Sequence, residues 1–158
     1  MKTFIDRLSK TEKVVTGVLS IAASLITCWL FIKSVTKHNL AGEWKLKFKV
    51  ESSSYKPYIG ETHTQKVFFH QNDCEITGQG EKCEYNGEPL PFNMHRKLEY
   101  IGEVDDDNFK ANYTLHGLKR ETPGIIDVTI SDGGRRITGR FSGTARKASG
   151  IVEGEKID

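Results

Sequence analysis

The residues best suited to chemistry in this chain are cations. Arg135, Arg136, Arg140, Arg146 and Lys147 cluster near the C-terminus. A guanidinium presents a fixed fork of donors that matches a phosphate group. The cluster therefore reads as a phosphate clamp at one end of a small fold, with Arg135 and Arg136 just past a turn. Strand alternation puts Arg136, Arg140 and Arg146 on one face, which equally suits a solvated outer wall, and both readings stay open. The histidines, His38, His63, His70, His95 and His116, make no metal-ligand pair with cysteine at the usual spacing. Cys74 and Cys83 lack a Cys-x-x-Cys arrangement. They could face each other across a hairpin, bridged in an oxidising compartment and free in a reducing one; free thiols are the preferred reading. Asp105-Asp106-Asp107 reads as a hairpin turn, and the Asn112-Tyr113-Thr114 sequon falls on a strand. There is no P-loop, no Gly-x-Ser-x-Gly elbow and no Gly-x-Gly-x-x-Gly. No enzyme, metal or cofactor is expected.

Charge separates the chain into two parts. The 158 residues carry a net +2. Residues 1–38 hold six Lys/Arg and two Asp/Glu, a surplus of four, while residues 39–158 hold 17 and 19, a deficit of two. A domain that grips polymeric nucleic acid would show a large basic excess, so that partner class is disfavoured.

The first part must supply an anchor. Val14 to Ile32 is 19 residues without a charge, between Lys13 and Lys33. About 20 apolar residues span a bilayer as a helix, and Trp29 and Phe31 suit an interfacial belt. The expected division is an N-terminal tail over 1–13, a transmembrane helix over 14–34 and a globular domain over 39–158. A cleaved signal peptide, with its shorter apolar core, and a lipoprotein signal at Cys28 fit less well. Gly17, Ser20 and Ser24, with Thr27 and Cys28, recur along one side of such a helix. Small residues at that spacing let two helices approach closely, so this face is the candidate for self-association. Lys/Arg flank both ends about equally, which leaves orientation open.

The second part must be all-β. In Gly42–Val50, Trp44, Leu46, Phe48 and Val50 alternate with lysines at 45, 47 and 49, the period of a half-buried strand. Further strands are expected near 64–71, 74–80, 96–104, 109–116, 125–131, 136–146 and 150–157. Asp-Gly and Gly-Gly turns separate some of them. About eight short strands with no helix to cover a face suggest an up-and-down antiparallel barrel, which removes sheet edges by closure. The expected interior is Val67, Phe69, Gln71, Ile76, Leu98, Tyr100, Phe109, Ala111, Tyr113, Leu115, Ile126, Val128, Ile130, Ile137 and Phe141. Glycines at 78, 80, 102, 139, 143 and 154 fall inside strands. They permit sharp coiling, or let something approach the backbone closely.

Three segments carry a resemblance: the Gly42-Glu-Trp44 opening, the Phe68–Gly78 hairpin Phe-Phe-His-Gln-Asn-Asp-Cys-Glu-Ile-Thr-Gly, and the Ile137–Gly143 run Ile-Thr-Gly-Arg-Phe-Ser-Gly. Together with the hydrophobic span, they make the chain resemble the membrane-anchored, lipocalin-like β-barrel effectors of bacterial CBASS antiphage systems. One departure is a single span where such effectors carry two. The resemblance implies a barrel that binds a cyclic di- or trinucleotide, oligomerises and disrupts the inner membrane, with the barrel in the cytoplasm. Such a ligand needs aromatic faces for its bases, worth about 1–3 kcal/mol each, and donors for its phosphates. Tyr55, Tyr58, Tyr113 and Arg96 are the candidates for these roles, with Arg135 and Arg136 behind them. Two other functions remain open: a tethered carrier or sensor of a small apolar ligand, and a ligand-free interaction domain.

Overall fold

The computed structural model describes residues 38–118 and 120–157. The expected tail, transmembrane helix and Gly17/Ser20/Ser24 face lie outside the described residues.

Strands form at β1 (Gly42–Ser52), β2 (Thr62–Asn72), β3 (Glu75–Tyr85), β4 (Glu88–Pro89), β5 (Arg96–Asp105), β6 (Asn108–His116), β7 (Glu121–Ser131), β8 (Arg136–Gly143) and β9 (Ala148–Lys156). Every pairing among them is antiparallel. The order is β2-β1-β9-β8-β7-β6-β5-β3, and β2 also pairs with β3, which closes an eight-stranded barrel. β4 is an added two-residue strand on the mouth end of β3, absent from the sequence expectation. Asp73, Asn86, Asp106 and Asp132 take positive φ in the turns, as short Asx side chains can.

The inward set follows alternation. Val67, Phe69, Ile76, Leu98, Tyr100, Phe109, Ala111, Tyr113, Ile126, Val128, Ile130, Ile137 and Phe141 are buried, together with Trp44, Leu46, Phe48, Val50 and Val152. Two expected members differ. Leu115 is only half-buried at one rim. Gln71 sits at the other rim, where it works as a polar clasp rather than as core.

The two ends of the barrel are unlike. One is sealed. Leu40 is fully buried there, its N–H donating to Gln71 Oε1 at 2.7 Å and its carbonyl accepting from Trp44 Nε1 at 2.8 Å. Above this plug Phe69 meets Trp44, Tyr100 and Phe109 edge-on, with centroids 6.2, 5.5 and 5.4 Å away. Edge-to-face contact suits the ring quadrupoles, and the half of the barrel next to the seal is solid. Hairpin alternation puts the β2–β3, β5–β6 and β7–β8 turns at the sealed end. The 53–61, 86–95 and 144–147 connections, with residues 117, 118 and 120, form the opposite mouth.

Strand glycines make the tight coiling of so small a barrel feasible. A Cβ on Gly80 would lie 2.1 Å from the Lys66 carbonyl oxygen, and one on Gly139 would lie 2.2 Å from that of Asp127. What approaches these positions is the neighbouring strand, not a ligand. Gly80→Ala is therefore expected to destabilise the fold by about 1–3 kcal/mol, the usual cost of overpacking. Urea denaturation would show it, and an unchanged midpoint would mean the strands can spread without penalty.

Candidate functional site

The mouth is assembled from four connections. The β1–β2 loop carries a short turn at Lys56–Tyr58, with Pro57 fixing its start. It is latched to the β8–β9 turn. The Arg146 carbonyl accepts from Ser54 N at 2.8 Å, Ser54 Oγ at 2.8 Å and Ser53 Oγ at 3.0 Å. Arg146 itself has φ +55° and lays its guanidinium over Tyr55 and Tyr58, 4.5 and 5.0 Å from the ring centroids. Tyr55, Ile59, Phe92, Met94 and Leu118 stand exposed around the rim, Phe92 and Leu118 at 85%.

A β-bulge re-aims the side chains beneath. Thr64 pairs with Glu84 and Gln65 with Lys82, so Cys83 is an extra residue on β3. A bulge bends its strand and redirects the side chains beyond it. Lys82 and Tyr85 consequently oppose the inward-facing Gln65 and His63, while Glu84 turns outward to pair with Lys45 at 3.0 Å. The result is a polar cup above the aromatic core. It holds about 80 Å³ and is lined by Tyr58, His63, Gln65, Lys82, Tyr113 and Thr122, with Phe48, Val50, Leu115 and Phe141 among its apolar walls.

The cup is electrostatically lopsided. Burial pulls the Lys82 ammonium down to about 8, Glu61 partly offsets this, and Arg96 lowers it further. Burial, then Lys82, drives His63 down to about 3, so its imidazole is neutral near pH 7. His63 Nε2 lies 2.8 Å from the Tyr58 hydroxyl, and Nδ1 is buried with no partner among the described residues. Burial raises Tyr58, and pushes Tyr113 up to about 12, so both phenols keep their protons. Glu61 accepts from the Tyr85 hydroxyl through Oε1, while its Oε2 is buried with no partner among the described residues.

The sequence-derived candidates divide by end. Tyr55, Tyr58, Tyr113 and Arg96 meet at the mouth. Arg96 lies opposite Lys82 in register and donates to the His95 carbonyl at 2.8 Å. Arg135 and Arg136 belong to the β7–β8 turn at the sealed end, and Arg136 pairs with Glu155 at 2.8 Å. They cannot stand behind the tyrosines, because one strand length separates the ends. Of the three arginines expected on one outer face, Arg136 and Arg140 do share it on β8, and Arg146 does not. β8 stops at Gly143, Arg140 pairs with Glu51 on the outer wall at 2.9 Å, and Arg146 belongs to the mouth. Counting hairpins from the first strand is the sequence signal that separates them. Lys82, His63, Gln65 and Thr122 were not among the sequence candidates, and neither was the mouth position of Arg146. The hairpin pairing considered for the cysteines is excluded, since Cys74 is the turn residue before β3 and Cys83 lies within the same strand; both are unbridged.

Two shallower grooves of about 480 and 640 Å³ flank exposed Ile125 on the outer wall. Among the described residues no cluster of His, Cys, Asp and Glu could hold a metal ion. The sequence matches no protein-family profile and no curated protein.

Proposed function

We propose that the barrel is the sensing domain of a membrane-anchored effector that responds to a cyclic nucleotide, binds it across the mouth and acts by self-association in the bilayer. On this reading the protein is a bacterial inner-membrane binder rather than a catalyst. One observation carries it: aromatic and apolar side chains ring a mouth whose floor is cationic and rich in donors. Flat bases suit the rim, where Tyr55 and Tyr58 offer faces, and phosphates suit Arg96, Arg146 and Lys82. The interior speaks against an apolar carrier. Pockets for drug-sized ligands are about 300–1,000 Å³, whereas the cup holds about 80 Å³ above a solid core. A cyclic dinucleotide would therefore lie across the mouth rather than inside the barrel. The filled core also suits a second reading, an interaction domain whose apolar rim meets a protein.

The test is thermal unfolding of the full chain in mild detergent, with cyclic di- and trinucleotides and fatty acids as probes. At least one cyclic nucleotide is expected to stabilise the protein, by about 2.7 kcal/mol at 100-fold over Kd, and Tyr55→Ala with Tyr58→Ala should erase most of that. Stabilisation by none of them at about 100 μM would overturn the nucleotide reading and leave the interaction domain.

A further inference from the structure

We infer that the cup beneath the mouth is a binding site for one small oxyanion, a phosphoryl group, held by Lys82 and His63. This deepens the reading of the mouth as a nucleotide site, and on that reading the group is one phosphate of the ligand.

Four features of the cup point to an anion. First, its charge has one sign. Among the described residues Lys82 is the one formally charged side chain lining it, and no carboxylate does. Glu61, the carboxylate close enough to influence Lys82, lies outside this lining; its Oε1 accepts from the Tyr85 hydroxyl and its Oε2 has no partner among the described residues. Among the described residues no carboxylate reaches ion-pair distance of the Lys82 ammonium, whose one contact of note is the Tyr85 ring 5.1 Å away. A substantially buried cation is normally paired.

Second, His63 is 8% exposed and its Nδ1 has no partner among the described residues. With the Tyr58 hydroxyl taken as the donor to Nε2, the imidazole proton falls on Nδ1, as an unmet donor. Unmet buried donors are uncommon and costly. Third, Gln65 Oε1 is already taken by the Tyr100 hydroxyl, which leaves its amide hydrogens to offer. Tyr113 and Thr122 also line the cup. Fourth, the size fits. At about 80 Å³ the cup is far below the roughly 300 Å³ of a drug-sized pocket and is on the scale of a single small group. Arg96 and Arg146 sit at the rim, where they would meet the remaining charge of a nucleotide.

The same chemistry could come from free phosphate or from a nucleotide, and the experiment separates the two. Thermal unfolding of the full chain in mild detergent is followed with inorganic phosphate, with sodium chloride of equal ionic strength, and with the cyclic nucleotide panel. Each arm uses wild type, Lys82→Met and His63→Gln. Phosphate is expected to raise the wild-type midpoint by several degrees beyond the chloride control and to leave Lys82→Met unmoved. His63→Gln should retain a reduced response. Any cyclic nucleotide that binds wild type should bind Lys82→Met at least tenfold more weakly.

Phosphate stabilisation without any nucleotide response would support the cup and overturn the nucleotide reading of the mouth. Equal nucleotide affinity in wild type and Lys82→Met would overturn the cup and leave the mouth. A phosphate response equal to the chloride control, or retained in full by Lys82→Met, would also overturn the cup.

Discussion

Replacing Lys82 by methionine is expected to make the barrel more stable at pH 7, by about 1–3 kcal/mol. Burial holds the ammonium down to about 8 in the folded state, against about 10.4 in the unfolded chain. Below pH 8 both states are protonated, so the full cost of burying the charge is present. Above about 10.4 both are neutral and the cost is gone. Between those values the unfolded state binds more protons, so wild-type stability should climb with pH. Methionine is unbranched and flexible, one atom shorter than lysine, and carries no charge to desolvate. Partial solvent access keeps the gain below the full linkage value. Urea titrations at pH 7 and across pH 8–10 would check both parts: a higher midpoint for Lys82→Met, and loss of the alkaline climb. A less stable Lys82→Met would mean that Glu61 or water already compensates the ammonium. A stabilised variant that no longer binds phosphate would have the signature of a functional residue kept at a cost to the fold.

Why Lys82 escapes a reading of the sequence is a matter of period. Alternation is an arithmetic of two, and it worked wherever strands are regular. In β1 it separates Trp44, Leu46, Phe48 and Val50 from the lysines between them, and the structure buries that whole set. From Ile76 through Gly78 and Gly80 the same parity runs on to Lys82, but a lysine reads as solvent-facing, and continued parity would next put Glu84 inside. The bulge at Cys83 breaks the count, so Tyr85 faces the barrel in place of Glu84. An extra residue in one strand is defined by its partner strand, which local periodicity cannot see. Leu40 was missed for a related reason. It precedes β1 in coil and becomes core only because the closed barrel needs a plug that Trp44 and Gln71 can hold. Tyr55 and Tyr58 were legible as residues between the first two expected strands. Their latch was not, since Arg146 joins them from 88 residues beyond Tyr58 through a left-handed turn.

His63 leads to the second large effect, an acid-labile fold. Its imidazole is held down to about 3 by burial and then by Lys82, against about 6.5 when unfolded. The folded value is the depressed one, so its contribution is fully present above pH 6.5 and is lost as pH falls toward 3. Integrated over that window, the loss is on the order of 4–5 kcal/mol, a large share of the stability of a domain this size. Lys82 stays protonated throughout the window and adds only a constant. Carboxylates also titrate there, so the comparison must be differential. His63→Gln should be less stable than wild type at pH 7, having lost the Tyr58 contact. Its stability should fall far less between pH 6.5 and 4, bringing the two curves together by about 3 kcal/mol. Denaturant titrations in half-unit pH steps would show it, and parallel curves would mean that water reaches Nδ1 and that the imidazole charges in place. An oxyanion in the cup bears on the same curve, because it favours the charged forms of His63 and Lys82 together. Saturating phosphate is therefore expected to flatten the acid limb of wild type and to leave that of His63→Gln nearly unchanged.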